Sequence, residues 1–220
     1  MPNPGEHHPA FEEYCECIFE LREDAVEVIQ ARIAERLRVS RPSVSEMIKR
    51  LNEEALIEVT DGRISLTDKG EELAQRVVRR HRLAERFITD ILGLSWALAH
   101  REAGRWEHVM SDEVEAAMSR VLGEPTTCPH GNPIPGSKYM APTAQRLNQL
   151  TVGQRFTISR IPEELEFTPG MLEFLERTKL VPGSEATVLH AKSTGEVTVN
   201  INGADVDVDP FASSRIFVTV

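Results

Sequence analysis

Apolar residues recur along the first 120 positions at steps of three and four, the spacing that lines one face of a helix. Phe11, Tyr14, Ile18 and Leu21 predict a helix over 11–22, and Ile29, Ile33, Ala34 and Leu37 a second over 28–38. Ser40 then offers an N-cap oxygen, and Pro42 falls in the first turn of the next helix, where its missing N–H costs nothing. Val44, Met47, Ile48 and Leu51 form the buried stripe of that helix. Over 57–66 the period shortens to two on either side of Asp61-Gly62, a pair suited to a two-residue hairpin turn. Thr67 caps a long helix running to about residue 92, with Gly93 as its stop. Helices from 96 to 103 and beyond and over 111–122 follow, ending at Gly123-Glu124-Pro125.

Residues 124–145 break the pattern. Pro125, Pro129, Pro133, Pro135 and Pro142, with several glycines, predict a linker with little regular structure. Beyond it the period is again two, predicting strands over 154–161, 186–190, 196–201, 205–208 and 215–220, with Asn202-Gly203 as a second hairpin turn. One short helix, 168–178, interrupts them. Five short strands in so little chain predict a small β-barrel. The fold class is therefore mainly α, followed by a small all-β unit.

Composition narrows the function. The 220 residues are 40% hydrophobic and 27% charged, ordinary for a folded chain. Every apolar run is too short to span a bilayer, and the start MPNPGEHHPA has neither the basic nor the apolar region of a secretory signal. Three cysteines, Cys15, Cys17 and Cys128, do not make a disulfide framework, so reduced thiols and a cytoplasmic location are expected. A net charge of −10 argues against coating nucleic acid by bulk attraction but leaves room for one local basic patch.

Such a patch exists. Two helices joined by a tight turn and followed by an Asp-Gly hairpin have the plan of a winged helix-turn-helix, whose second helix enters the major groove. Its leading residues are Ser40, Arg41, Pro42, Ser43, Ser45 and Glu46. Around them Arg32, Arg36, Arg38, Arg41, Lys49 and Arg50 outnumber Glu35 and Glu46. Ser40, Arg41, Pro42, Ser43, Ser45 and Arg50 are the candidate DNA-contacting residues. The competing reading is a helical protein-binding module with a solvated basic face.

Metal-ligating residues repeat on three helices. His81 and Glu85 are four apart; His100, Glu107 and His108 stand at i, i+7 and i+8; Glu13, Glu16 and Cys17 stand at i, i+3 and i+4. One such pair is usually a surface ion pair, but three are harder to explain that way. Imidazole with carboxylate suits Mn²⁺, Fe²⁺, Co²⁺ or Zn²⁺. Cys17 also reads as a small buried apolar residue. Cys128-Pro129-His130 is expected to be structural or solvent-exposed within the linker, His7-His8 to be a solvated start, and His190 to have no role.

The strings His81-Arg82-Leu83-Ala84-Glu85-Arg86, Arg105-Trp106-Glu107-His108-Val109-Met110-Ser111-Asp112-Glu113-Val114-Glu115 and Gly131-Asn132-Pro133-Ile134-Pro135-Gly136 resemble the diphtheria toxin repressor family across essentially the whole chain. The resemblance implies a metal-activated, dimeric transcriptional repressor that binds a palindromic operator, controls metal-uptake genes and is not an enzyme. It implies a winged helix-turn-helix over 1–74, a helical metal-binding and dimerisation domain with linker over 75–140, and an SH3-like (FeoA-type) barrel over 146–220.

Carried over position by position, an ancillary site takes His81, Glu85 and His100. A primary site takes Glu107 and His108, with Glu13 where the iron branch has methionine and the manganese branch aspartate, and Glu16 matching the manganese branch. Gly104 stands where the family has cysteine or glutamate. In the barrel only Glu166, shifted by one, could serve as a ligand. The oxygen-rich set favours Mn²⁺ first and Fe²⁺ second. Trp96, Leu98, Val109, Val114 and Met118 are the apolar residues expected to serve a homodimer, with no membrane partner. The alternatives are a metal-independent winged-helix adaptor and a metalloenzyme using Glu107 or Glu85 as base, although neither an HExxH string nor a Gly-rich phosphate loop is present.

Overall fold

The computed structural model describes residues 9–220, so His7-His8 lie outside the described residues. The first unit contains α1 (Pro9–Glu23), α2 (Gln30–Leu37), α3 (Arg41–Glu53) and the hairpin β1 (Ile57–Thr60)–β2 (Arg63–Leu66). Ser40 caps α3 by accepting from the Ser43 N–H, and Thr67 caps the next helix by accepting from Gly70. Asp61 and Gly62, at φ 51° and 80°, make the tight turn that keeps Thr60 opposite Arg63. Phe11, Ile18, Ile33, Val44, Ile48 and Leu51 meet in one core, as the helical spacing predicts.

Next come α4 (Asp68–Asp90), α5 (Trp96–Trp106) and α6 (Asp112–Val121). Their core is small, with Leu83, Ala84, Ala103, Met110, Met118 and Ile134. Trp96 departs from expectation. It belongs to the core of the β domain, with Leu175, Val188 and Ile216, and so locks α5 to that domain.

The C-terminal domain is a six-stranded sheet in the order β3 (Gln145–Arg146), β8 (Phe217–Thr219), β4 (Arg155–Arg160), β5 (Glu185–Ala191), β6 (Val197–Ile201), β7 (Ala204–Val208). It is SH3-like but not a closed barrel: among the described residues the edge strands β3 and β7 do not pair. A two-residue β3 is too short to close the sheet. Instead α8 (Met171–Thr178) and Trp96 cover its apolar face. The helix expected over 168–178 starts late because Gly170, at φ 77°, forms a turn. A separate short helix, α7 (Glu163–Glu166), precedes it, and α9 (Pro210–Ser213) precedes β8.

The proline-rich stretch is irregular but is not a loose linker. Cys128, Pro129, His130, Gly131, Asn132 and Ile134 are buried. The Ile161 N–H donates to the His130 carbonyl at 2.8 Å, and Asn132 donates to the Ile161 carbonyl and the Glu166 carboxylate. Gly131 sits at φ 87° with β4 so close that a Cβ there would lie 2.3 Å from the Ser159 carbonyl oxygen. A side chain at residue 131 would push the segment off the sheet.

Candidate metal centre and nucleic-acid interface

One face of α1, continued one residue past its end, carries Glu12, Glu16, Glu20 and Asp24, each four positions from the last and all buried. A carboxylate is buried only where a cation or donors meet it. Here each has its own neighbour from another element. Glu12 accepts from His108 Nδ1 at 2.7 Å; Glu16 groups with His81 and Glu107; Glu20 pairs with Arg36 at 3.1 Å; Asp24 pairs with Arg160. The sequence reading takes Glu13, Glu16 and Cys17 from this helix. The signal missed was the acidic repeat of four running through 12, 16, 20 and 24.

The metal-ligating residues form a connected chain of groups. In the first, ligand atoms of Glu16, His81 and Glu107 lie within 4.8 Å of one another. His81 Nδ1 bonds Glu107, and His108 Nε2 stands 3.2 Å from the other Glu107 oxygen. In the second group, Glu85 Oε1 lies 3.2 Å from His81 Nε2 and 3.0 Å from His100 Nδ1. The third adds Cys128 and His130, whose Nδ1 is 3.4 Å from Glu85 Oε2 and 2.9 Å from Glu166 Oε2. In the fourth, Glu166 also reaches His100 Nδ1 at 3.3 Å. Thus His81 joins the first group to the second, and Glu85 and Glu166 join the others.

Several expectations change on these distances. His130, expected to be structural or solvent-exposed, is fully buried against two carboxylates, and Cys128 Sγ lies 3.8 Å from its ring. Glu166 does reach the helical cluster from the β domain. Glu13 is exposed, yet it lines the same cavity of about 290 Å³ as Glu16, Cys17, Gly104 and His108. Glu107 and His108 lie beyond the end of α5, in the turn that follows, and His100 faces the second group rather than theirs. Gly104 opens onto free space, for a Cβ there would meet nothing within 4 Å.

The electrostatics fit a cation. Burial would push Glu85 up, but the charges of His130 and His81 and hydrogen bonds from His100 and His130 hold it well below the usual carboxylate range. Burial would push His100 down, but hydrogen bonds and charge from Glu166 and Glu85 raise it to about 10. Glu16 is raised well above its usual value by burial and by the charges of Glu107 and Glu20. Among the described residues, Glu16 Oε1 and His130 Nε2 are buried with no hydrogen-bond partner, while His81 Nε2, Glu85 Oε2 and Glu166 Oε2 face other imidazoles and carboxylates of the cluster. Buried imidazoles and carboxylates converging from α1, α4, α5 and α7, with some of their polar atoms unpartnered, are what a divalent ion satisfies.

Helix α3 presents the leading residues expected to read DNA. Ser40, Arg41, Pro42, Ser43, Lys49 and Arg50 are exposed and Ser45 half-buried. The Ser40 and Ser43 hydroxyls also bond each other at 2.7 Å, rigidifying the start of α3. The basic patch is smaller than its sequence count. Arg36 is 5% exposed and turned inward onto Glu20, Arg32 pairs with Glu35, and Arg38 donates to the Phe167 carbonyl.

A winged reader sharing a helix with a buried imidazole–carboxylate cluster defines the class of metal-responsive DNA-binding regulators. Comparison with known proteins specifies it. Residues 8–63 match the iron-dependent repressor N-terminal DNA-binding domain, 67–136 its metal-binding and dimerisation domain, and 145–220 the FeoA domain. The chain is 40% identical over 205 residues to the iron-dependent repressor IdeR of Mycobacterium tuberculosis, covering 87% of this chain and 88% of that one. It is 38% identical over 207 residues to the diphtheria toxin repressor of Corynebacterium diphtheriae, covering 90% and 91%. A solved manganese-dependent transcriptional repressor in complex with manganese superimposes with a TM-score of 0.84 at 33% identity, over 94% of this chain and 98% of that one. The chain belongs to the iron-dependent repressor family of metal-dependent transcriptional repressors. Membership favours a regulator over the adaptor and metalloenzyme readings. Among the described residues no helix is long and apolar enough to cross a membrane.

Proposed function

We propose that this protein is a cytoplasmic repressor of metal-uptake genes, activated by Mn²⁺ in first place and Fe²⁺ in second, that binds a palindromic operator as a two-fold dimer. The observation that carries the reading is the position of α1. It packs in the core of the reader, yet its Glu12 and Glu16 meet His108, His81 and Glu107 of the dimerisation helices. A cation held there would tie the reader to the dimer, favouring one spacing of the two recognition helices.

Glu13, Glu16, Glu107 and His108 would hold the ion that does this. His81, Glu85, His100 and Glu166 would hold a second, with Cys128 and His130 beside it. The bound ion supplies positive charge to carboxylates that are otherwise buried together. The predominance of oxygen donors in the first set favours a hard ion such as Mn²⁺. Ser40, Arg41, Pro42, Ser43 and Ser45 would meet bases, and Arg50 a phosphate. The three units would divide at 1–74, 75–140 and 146–220.

The experiment is a DNA-binding titration on a palindromic duplex selected by the protein from a random pool in the presence of Mn²⁺. Tight binding with Mn²⁺ that is lost with chelator is the expected result. Affinity indifferent to metal would sink the reading.

A further inference from the structure

The second group of ligands stands outside the reader, with His81 and Glu85 on α4, His100 on α5 and Glu166 on α7, and meets it at His81, which groups with Glu16 of α1. A second link runs from the β-domain end of this group to α2. Phe167 follows Glu166 at the end of α7, and its ring lies edge-on to the His100 imidazole at 5.1 Å between centroids. Over the same ring, at 4.9 Å, sits the guanidinium of Arg36 from α2. The Phe167 carbonyl accepts from Arg38, the residue that ends α2, at 3.3 Å. Phe167 therefore touches the candidate metal cluster on one side and the helix that leads into the recognition helix on the other.

Arg36 is built for this contact. Its side chain is 5% exposed, pairs with Glu20 at 3.1 Å and approaches Asp24 at 3.9 Å. It is thus held to α1 as well as to the β domain. An arginine over an aromatic face is attracted by the ring's quadrupole, more strongly when water is excluded. By contrast Phe167 is 39% exposed and lines the cavity beside the cluster, so no core packing accounts for an aromatic residue there.

We infer that Phe167 is the positioning residue through which metal held by His81, Glu85, His100 and Glu166 sets the attitude of α2 and α3. It rests on the repressor reading above. Fixing Glu166 and His100 around an ion fixes the residue that follows Glu166. Phe167 then holds Arg36 and Arg38, and with them the reader. The second metal group would thus act on α2 and α3 through the β domain, in addition to the contact of His81 with Glu16 of α1. Coupling of this kind is a ratio of affinities, and it is reciprocal.

The test uses the full chain as wild type, Phe167→Ala and Phe167→Tyr. Mn²⁺ stoichiometry and affinity are measured by calorimetry without DNA. Affinity for the selected palindromic duplex is then measured with chelator and with saturating Mn²⁺. For Phe167→Ala we expect full Mn²⁺ stoichiometry, unchanged affinity with chelator, and an activation ratio reduced about tenfold. Phe167→Tyr, which keeps the ring, should restore the ratio. An unchanged ratio in Phe167→Ala would overturn the inference. So would a ratio that falls only because one Mn²⁺ is no longer bound, since the ring would then merely support ligation. A wild-type ratio of one would instead defeat the repressor reading, and the coupling with it.

Discussion

Gly104 is the residue where chemistry and space disagree most usefully. It lines the cavity beside Glu13, Glu16 and His108, and a side chain there would enter open space. Gly104→Glu should therefore add a carboxylate without displacing anything, tighten ion binding by Glu13, Glu16, Glu107 and His108 and bring activation to lower Mn²⁺. Calorimetry beside DNA binding measures both. Equal Mn²⁺ thresholds for the two proteins would mean that residue 104 does not face the ion. His100 gives a second prediction. Hydrogen bonds and charge from Glu166 and Glu85 outweigh burial and raise it to about 10, so at pH 7 it carries a proton. A metal ion needs the neutral ring, and proton and ion compete. Mn²⁺ affinity should then rise with pH from neutrality towards that value, with proton release on binding. Titrations in buffers of different ionisation enthalpy should give different apparent heats; identical heats would exclude the release.

At the scale of elements, α1 and α3 divide the work. The acidic row of α1 is buried against other elements, while α3 carries the exposed Arg41, Lys49 and Arg50 that would meet phosphates. Arg50 is exposed at the last turn of α3, its guanidinium 5.1 Å from the Phe11 ring of α1. Arg50→Ala should weaken binding to selected and random duplexes alike and reduce the salt slope by about 1, the signature of one lost phosphate contact. Salt titrations of both duplexes check this. An unchanged slope would show that α3 meets DNA along another edge.

Across the whole molecule, the β domain is bound to the helical domains by charge as much as by apolar contact. Arg82 is fully buried and pairs with Glu23 of α1 and Glu163 of α7, while Arg160 of β4 pairs with Glu23 and Asp24. Several apolar residues of the dimerisation domain are left exposed: Ile91, Leu92 and Leu94 after α4, Val109 after α5, and Val114 and Val121 on α6. They are the residues with which the dimerisation domain would meet its copy. Val109 is 80% exposed and Val114 50%, so Val109→Asp with Val114→Asp should leave the fold intact and shift the protein to monomer. Sedimentation at micromolar protein with Mn²⁺ decides it; a dimer that survives both changes is built on another face.

The elements were legible along the chain because each depends on local rules. Period-three-to-four apolar spacing gave α1 to α6, Ser40 and Thr67 capped where expected, and Asp61-Gly62 and Asn202-Gly203 made their turns. His81 with Glu85, and Glu107 with His108, were visible as short-range pairs. What the tertiary structure alone decided is which pairs share an ion-sized space. His130 and Glu166 are 36 positions apart, and nothing local to either marks the other. They meet because Gly131 lets the proline-rich segment lie against β4 while Trp96 pins α5 to the β domain. The same holds for Arg36, a surface cation by composition and a buried one by packing, since burial depends on the elements folded over it.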